Sequence, residues 1–439
     1  MSRNQRNLDV HLNLNVRGRL PSATVALNER SNALRAQGRD VFKLGLGQSP
    51  FPVPEVVVQE LRQNAHQKDY LAVKGLPALR ESIAAYHARQ DGVTRSADDV
   101  LVGPGSKELM FLLQLVYYGD LVIPTPTWVS YAPQAGILGR QVQWLQTRRE
   151  DRWQLMPEQL ASLCAMDPGR PRIVILNYPN NPTGGTYKLE ELRDLARVAR
   201  ENRVVLLSDE IYGNLHYKGQ HVSIARFYPE GTILSTGLSK WCGAGGWRLG
   251  HFLFPTALRW LLDAMAAVAS ETYTATSAPI QYAAVRAFDG GEEIDSYLRA
   301  SRRTLSTLAR WCVKTLDAAG IDVEPPRGSF YLFLDFERFR EPLAARGIAS
   351  SQSLCETLLD ETGVAILPGS AFGRPESELT ARLAFVDFDG GKALEEVERH
   401  PVEARLNGGF ARTVAPNVCE AIERIAGWVS DEPRGTTSD

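Results

Sequence analysis

Residues 204–212, VVLLSDEIY, place four apolar residues directly before Ser208 and Asp209. A short apolar run of this kind predicts a buried β-strand, with Asp209 at its carboxyl end. Open α/β sheets bind their ligands at that edge, which makes Asp209 a candidate site residue. A strand-end aspartate can instead cap the helix that follows, and the pattern leaves both interpretations open.

Similar strand-like runs occur on both sides of this stretch, at residues 100–102, 121–123 and 172–176. Longer helical patterns separate them, for example residues 189–202. This alternation is typical of an α/β fold with a mostly parallel sheet. Beyond about residue 295 a long helical pattern, 294–319, precedes the strand-like run 329–335, which predicts a second, α+β domain.

The predicted domain organisation has three parts. Residues 1–52 form an N-terminal arm and part of a small domain, 53–295 form a large domain, and 296–439 complete the small domain. Apolar residues alternate with a period of two over residues 8–16, which predicts an extended segment packed against another surface. A helical pattern follows over residues 21–37.

Composition excludes several classes of function. The 439 residues include 49 basic and 51 acidic side chains, a balance that does not favour binding to nucleic acid or to a membrane surface. No long apolar run lies near the N-terminus, so we expect neither a signal peptide nor a membrane anchor, and we expect a cytoplasmic protein. The five cysteines lack CxxC spacing, which argues against a zinc site and for reduced thiols.

Lys240 lies in the stretch LSKWCGAGGWRLG at residues 238–250, among small and apolar neighbours, with Arg248 eight residues later. Burial and a nearby cation both lower the pKa of a lysine and make its amine nucleophilic. The guanidinium of Arg248 suits a phosphate group, although an arginine beside a tryptophan is often a surface stack. Each signal is weak alone, and their combination indicates a site.

The loop GPGSKE at residues 103–108 precedes an apolar helical run, so its amide groups lie at a helix N-terminus that could hold a phosphate. It lacks the spacing of a nucleotide-binding P-loop. Trp128 follows another strand and could stack on a planar ring, whereas a large aromatic residue there could also be plain core.

Four stretches together resemble one family: NYPNNPTGG at 177–185, SDEIY at 208–212, the Lys240 stretch, and RLAF at 382–385. In this order and spacing they resemble the class I aminotransferases of fold type I, which use pyridoxal 5′-phosphate (PLP). The similarity extends from about residue 21 to about residue 385. PSAT at 21–24 and GSKEL at 105–109 are most similar to bacterial aspartate aminotransferases that use a lysine for the distal carboxylate.

The resemblance implies a role for each matching residue. Lys240 would carry PLP as a Schiff base and act as the base, and Asp209 would pair with the pyridine nitrogen. Asn181 and Tyr212 would hydrogen-bond the phenolic oxygen, while Trp128 would stack on the ring. The phosphate would be held by Gly105, Ser106, Lys107, Ser239 and Arg248, with Tyr70 supplied by the partner subunit of a homodimer.

On the substrate side, the resemblance implies that Arg382 clamps the α-carboxylate and that Gly47, Asn181 and Trp128 lie against the substrate. Lys107, assisted by Ser22 and Thr24, would hold a second carboxylate, which favours aspartate or glutamate. The reaction would be a ping-pong transamination between an amino acid and a 2-oxo acid.

Two stretches depart from the family pattern. Residues 386–391, VDFDGG, replace a short Ala-Thr-Ser-like stretch, and residues 400–416 look like an insertion. We expect both to flank the mouth of the site, which leaves the substrate open. Aromatic or alanine transamination and a β-lyase reaction remain alternatives on the same fold. A PLP-binding transcription regulator is disfavoured, because the resemblance begins near residue 21 and leaves no room for a DNA-binding module.

Overall fold

A computed structural model describes residues 11–19 and 21–430. Its strands are β1 (Phe42–Lys43), β2 (Val100–Gly103), β3 (Asp120–Thr125), β4 (Val142–Gln146), β5 (Arg172–Asn177), β6 (Val205–Asp209), β7 (Thr232–Gly237), β8 (Gly250–Leu253), β9 (Asp322–Val323), β10 (Tyr331–Asp335), β11 (Val364–Ala365), β12 (Leu367–Pro368) and β13 (Thr380–Ala384). Its α-helices are α1 (Ala23–Ala36), α2 (Glu55–Asn64), α3 (Pro77–Gln90), α4 (Ser106–Val116), α5 (Tyr131–Ile137), α6 (Pro157–Met166), α7 (Leu189–Glu201), α8 (Arg259–Glu271), α9 (Ala278–Asp289), α10 (Glu292–Ala318), α11 (Arg340–Ala345), α12 (Ser351–Thr362), α13 (Gly390–Glu398), α14 (Gly408–Val414) and α15 (Pro416–Ser430).

Seven strands form the central sheet, in the order β2-β8-β7-β6-β5-β3-β4. Only β8 runs against the others, since it is antiparallel to both β2 and β7 while the remaining pairs are parallel. Asp209 is the last residue of β6 and lies opposite Asn177 of β5. Because neighbouring parallel strands end at the same edge, the polar segments that follow them converge there.

Helices cover both faces of this sheet, which explains the continuous apolar run before Asp209. Leu206 packs with residues of α6 and α7 on one face, and Leu207 packs with residues of α4 and α8 on the other. Successive strand residues point to opposite faces, so a strand buried on both sides must be apolar throughout. Burying each leucine contributes about 1.5–3 kcal/mol to the stability of the fold.

A second, antiparallel sheet has the order β12-β13-β10-β9, and β1 pairs in parallel with β11. The β1–β11 pair joins a segment near the N-terminus to the C-terminal third of the chain. The predicted α/β fold with its mostly parallel, helix-flanked sheet is confirmed. The domain boundaries remain a prediction, and α10 runs unbroken through the one at residue 295.

The prediction of an extended segment at residues 8–16 is wrong where the structure describes it. Residues 14–18 form a turn, in which the amides of Val16 and Arg17 both donate to the carbonyl of Asn13 at 3.0 Å. Leu8 and Val10 lie outside the described residues. Leu14 is 80% exposed. No strand of the described chain pairs with this segment, which closes its hydrogen bonds locally.

The five cysteines are buried and form no disulfide. Among the described helices, none combines the length and the apolar character that crossing a membrane would require.

Candidate active site

A cavity of about 610 Å³ opens at the carboxyl edge of the central sheet. Its lining includes ten of the residues predicted from the sequence: Gly47, Ser106, Lys107, Trp128, Asn181, Asp209, Tyr212, Ser239, Lys240 and Arg248. They come from segments far apart in the chain, which the strand order brings to one edge.

Asp209 lies at the base of this cavity and is only 3% exposed. The hydroxyl of Tyr131 donates to its Oδ2, while Oδ1 has no hydrogen-bond partner in the described chain. Burial raises the pKa of Asp209 to about 6, and the hydrogen bond from Tyr131 opposes that rise. No α-helix begins between Asp209 and residue 258, so the N-cap interpretation is wrong. The orphan oxygen is available to a ligand that carries a proton donor.

Lys240 follows β7 and extends its amine toward the cavity, where Nζ donates to the carbonyl oxygen of Gly47 at 2.5 Å. Burial and, next in size, the nearby guanidinium of Arg382 lower the pKa of Lys240 to about 8, while Asp209 opposes the change. A lysine with this pKa is partly neutral near physiological pH, so it can act as a nucleophile and as a base.

One end of the cavity is built to receive an anion. The guanidinium of Arg248 donates to the carbonyls of Gly245 at 2.8 Å and Pro104 at 3.3 Å, and it has no acidic partner in the described chain. Gly105 has a φ of 91°, and a Cβ there would overlap the Arg248 guanidinium. Helix α4 begins at Ser106, so its free first-turn amides lie beside the same guanidinium.

Arg382 provides a second position for an anion. It lies on β13, is 2% exposed, and donates to the carbonyl of Gly45 and to Oδ1 of Asn181, the latter at 3.1 Å. Its Nε has no partner, and no described carboxylate pairs with it. A buried charge without a counter-charge is costly, which indicates that a ligand supplies the negative group.

Trp128 and Lys107 form one wall of the cavity. Trp128 is half-buried, and Nζ of Lys107 lies 5.2 Å from the centre of its ring. Burial, together with the charge of Arg248, lowers the pKa of Lys107. No described carboxylate pairs with this amine, which leaves it available to a ligand.

Five predicted residues are not among those that line the cavity: Arg382, Gly105, Tyr70, Ser22 and Thr24. Arg382 lies behind the lining residue Asn181, to which it donates. Tyr70 is 92% exposed, and Ser22 and Thr24 lie half-buried at the start of α1. Gly105 contributes through its contact with Arg248 rather than as a lining residue.

The two departures from the family pattern do not line the cavity, and our expectation that they flank its mouth stays a prediction. Neither residues 386–391 nor residues 400–416 line it. The second stretch packs on α10, where Arg303 donates to the carbonyl of Pro401 at 2.8 Å and Arg310 to that of Leu406 at 3.3 Å. Two arginines of α10 therefore provide donors for carbonyl groups of this stretch.

Sequence reasoning did not single out seven residues at or beside the site. Five line the cavity: Gln48, Asn177, Ile211, Gly245 and Gly246. The other two are Tyr131, which donates to Asp209, and Tyr331, whose hydroxyl lies 2.8 Å from that of Tyr212. Asn177 opens the NYPNNPTGG stretch and is the last residue of β5, so its position at the carboxyl end of an apolar run is a usable signal. The two tyrosines lie on α5 and β10, and no local pattern separates them from ordinary core residues.

The fold and this cavity together indicate an enzyme. Residues 39–385 match the family described as "Aminotransferase class I and II", and the chain belongs to that family. It is therefore an aminotransferase, which moves amino groups between amino acids and 2-oxo acids.

Known proteins resemble the chain over most of their length. An aspartate aminotransferase of Geobacillus stearothermophilus is 35% identical over 368 residues, which are 81% of this chain and 90% of the relative. An aspartate/prephenate aminotransferase of Thermus thermophilus is 32% identical over 88% of this chain and 98% of its own. The solved structure of the Thermus thermophilus aspartate aminotransferase with maleate has a TM-score of 0.80, is 30% identical, and covers 95% of this chain and 100% of its own.

Proposed function

We propose that this aminotransferase uses PLP, bound covalently at Lys240, to transfer the amino group of a dicarboxylic amino acid, aspartate or glutamate. The observation that carries the proposal is the meeting of three groups in one cavity: an amine with a pKa of about 8, a buried carboxyl with an orphan oxygen, and a guanidinium without an acidic partner.

The described residues fit PLP at both of its ends. Gly105 leaves room for the Arg248 guanidinium, which with Ser106, Ser239 and the amides of α4 would hold a phosphate. The orphan Oδ1 of Asp209 would accept a hydrogen bond from a protonated ring nitrogen. When bound, the cofactor supplies an aldehyde that accepts the amino group and a ring that withdraws electrons from the substrate.

Asn181 and Tyr212 would hydrogen-bond the phenolic oxygen of the cofactor. The Oδ1 of Asn181 already accepts from Arg382, which leaves its Nδ2 as the donor on the cavity side. Tyr212 is buried and carries a hydroxyl at the same end of the cavity. Trp128 would cover the ring and exclude water from it.

Lys240 would move the proton at the substrate Cα, because its pKa of about 8 lets one amine both release and accept a proton near neutral pH. Asp209 would keep a proton on the ring nitrogen by supplying a negative charge beside it. Arg382 would bind the α-carboxylate as a bidentate pair and so fix the Cα near the amine.

A dicarboxylic substrate is supported by Lys107, a cation of the cavity wall that lies beside Trp128 and has no acidic partner in the described chain. The relatives named for aspartate, and the one whose structure holds maleate, a dicarboxylate, support the same choice. The second candidate function is transamination with a broader range of amino-group acceptors, because one relative is named for prephenate as well as aspartate. Ser22 and Thr24 would assist only if the start of α1 moved toward the cavity.

We also propose that the protein is a homodimer with shared sites, in which Tyr70 of one chain reaches the cavity of the other. The side chain of Tyr70 contributes nothing to the cavity of its own chain and is almost fully exposed, as expected of a residue that reaches a neighbouring subunit. A cytoplasmic location also remains a prediction.

Borohydride reduction followed by peptide mapping tests the proposal. Reduction should fix a pyridoxyl group on Lys240. Lys107 is the matched comparison, because it is the other lysine that lines the cavity, and a label there would overturn the assignment. A screen of amino donors with 2-oxoglutarate should rank aspartate or glutamate first, and a preference for alanine or phenylalanine would overturn the choice of substrate.

A further inference from the structure

Tyr331 is a buried tyrosine at the start of β10 that lies just behind the cavity wall. It is 1% exposed and does not line the cavity itself. Its hydroxyl oxygen is 2.8 Å from the hydroxyl oxygen of Tyr212, so the two phenols share a hydrogen bond.

The same side chain contacts the substrate end of the site. The guanidinium carbon of Arg382 lies 4.7 Å from the centre of the Tyr331 ring, which is a cation–π distance. A Cβ at position 47 would overlap the Tyr331 hydroxyl, so that hydroxyl packs directly on the backbone of Gly47. The carbonyl of Gly47 in turn accepts from the amine of Lys240.

We propose that Tyr331 is a positioning residue for transamination: its hydroxyl orients the hydroxyl proton of Tyr212, and its ring supports the guanidinium of Arg382. This inference rests on the proposed function, in which Tyr212 serves the cofactor and Arg382 serves the substrate. One side chain would then hold a residue from each half of the site in place.

The proton inventory sets the direction of the hydrogen bond. A phenol carries a single proton, so a Tyr212 that donates to the cofactor can only accept from Tyr331. Burial raises the pKa of Tyr331, and the guanidinium of Arg382 opposes that rise, which keeps Tyr331 a competent donor. Two hydrogen bonds in series polarise one another, so Tyr331 makes Tyr212 a stronger donor toward the cofactor oxygen.

Tyr331→Phe removes the hydroxyl and keeps the ring. The visible absorbance of the cofactor bound at Lys240 is followed against pH in the holoenzyme. The titration midpoint should rise by about 0.3 to 1 pH unit, because a weaker Tyr212 donor stabilises the deprotonated cofactor oxygen less. The KM for the amino acid should stay within about twofold, since the ring still supports Arg382.

Tyr187→Phe is the matched control. It also deletes a phenol hydroxyl with one protein partner, the amide of Leu155 at 3.2 Å, but it does so outside the cavity. Its titration midpoint should equal that of the wild type.

A double-mutant cycle shows whether Tyr331 acts through Tyr212. With Tyr212→Phe already present, adding Tyr331→Phe should move the midpoint no further, and an equal shift in both backgrounds would overturn the proposal. Tyr331→Leu, which also removes the ring, should raise the KM about threefold or more above that of Tyr331→Phe, and an unchanged KM would overturn the support of Arg382.

The outcomes separate this inference from the proposed function. A wild-type protein without cofactor absorbance contradicts the proposed function itself. A wild type that titrates normally beside a folded Tyr331→Phe variant with the same midpoint contradicts only the role of Tyr331. Thermal unfolding of the two proteins establishes that the variant is folded.

Discussion

Replacing Asp209 with asparagine should make the apoprotein progressively more stable than the wild type as the pH rises. Burial raises the pKa of this carboxyl from 3.8 to about 6. Between those values the native protein holds a proton that the unfolded chain has released, so the native state binds more protons. The free energy of unfolding of the wild type therefore falls as the pH rises through this window, whereas the asparagine variant lacks this contribution.

The difference between 3.8 and about 6 corresponds to ~3 kcal/mol of unfolding free energy, fully lost above the native pKa. The amide adds donors that need partners, but that cost is the same at every pH. The informative quantity is therefore the change in the stability difference between about pH 4 and about pH 7.5, not its absolute value.

Thermal or urea unfolding of the two apoproteins across this range measures that change. Asp194→Asn, which removes an exposed carboxylate on α7, is the matched control and should follow the wild type. A constant stability difference between wild type and Asp209→Asn would refute the reasoning, because it would mean that Asp209 is ionised in the folded apoprotein. Added PLP should stabilise the wild type more than the variant, since the carboxylate then pairs with a protonated nitrogen.

Three further perturbations address the rest of the site. Lys107→Ala should lower kcat/KM for aspartate about tenfold or more and leave alanine or phenylalanine nearly unchanged, whereas an equal loss for all donors would assign Lys107 to the cofactor. Gly105→Ala should weaken PLP binding about tenfold or more in an equilibrium titration, because the methyl group displaces a guanidinium, while Gly427→Ala, with open space around it, should bind normally. Mixing Tyr70→Phe chains with inactive Lys240→Ala chains should yield hybrid dimers with one complete site, and activity equal to the sum of the separate proteins would argue against shared sites.

Local patterns predicted four of the seven strands of the central sheet, β2, β3, β5 and β6. The run before Asp209 is apolar at every position because both faces of β6 are covered, and each strand of this kind is readable from a few consecutive residues. Lys240 and Arg248 could be singled out for a similar reason, since they share one short stretch whose glycines indicate a turn.

Tyr131 and Tyr331 could not be found in this way, because their contacts depend on tertiary packing. Tyr131 lies 78 residues before Asp209 in the chain, and Tyr331 lies 119 residues after Tyr212. Each occupies an apolar helix or strand where an aromatic residue is an ordinary choice for the core. Only the hydroxyl distinguishes each tyrosine from a phenylalanine in the core. The hydrogen-bond partner of that hydroxyl depends on how the helices and strands pack together.

The prediction of an extended segment at residues 8–16 was wrong although its local pattern is clear. Alternation at residues 8–16 specifies which side chains share a face, but a strand also needs a neighbour to accept its backbone hydrogen bonds. In the described chain none is present beside residues 11–16, and the carbonyl of Asn13 accepts two amides of a local turn instead. Residues that pack across a subunit interface would also be exposed in a single chain. This segment and Tyr70 are therefore both candidates for contact with a partner subunit.

The charges around Lys240 link ligand binding to reactivity. Burial is the largest cause of the lowered pKa of that lysine; Arg382, Arg248 and Lys107 lower it too, and the Asp209 carboxylate opposes them. The same three cations are the groups proposed to hold the cofactor phosphate and the substrate carboxylates. Neutralising them with bound anions should raise the lysine pKa, so the amine is most nucleophilic when the cavity is empty and becomes a better proton acceptor as it fills. Under the proposed function, this excess of positive charge would suit Lys240 first to capture the cofactor and then to take a proton from the substrate.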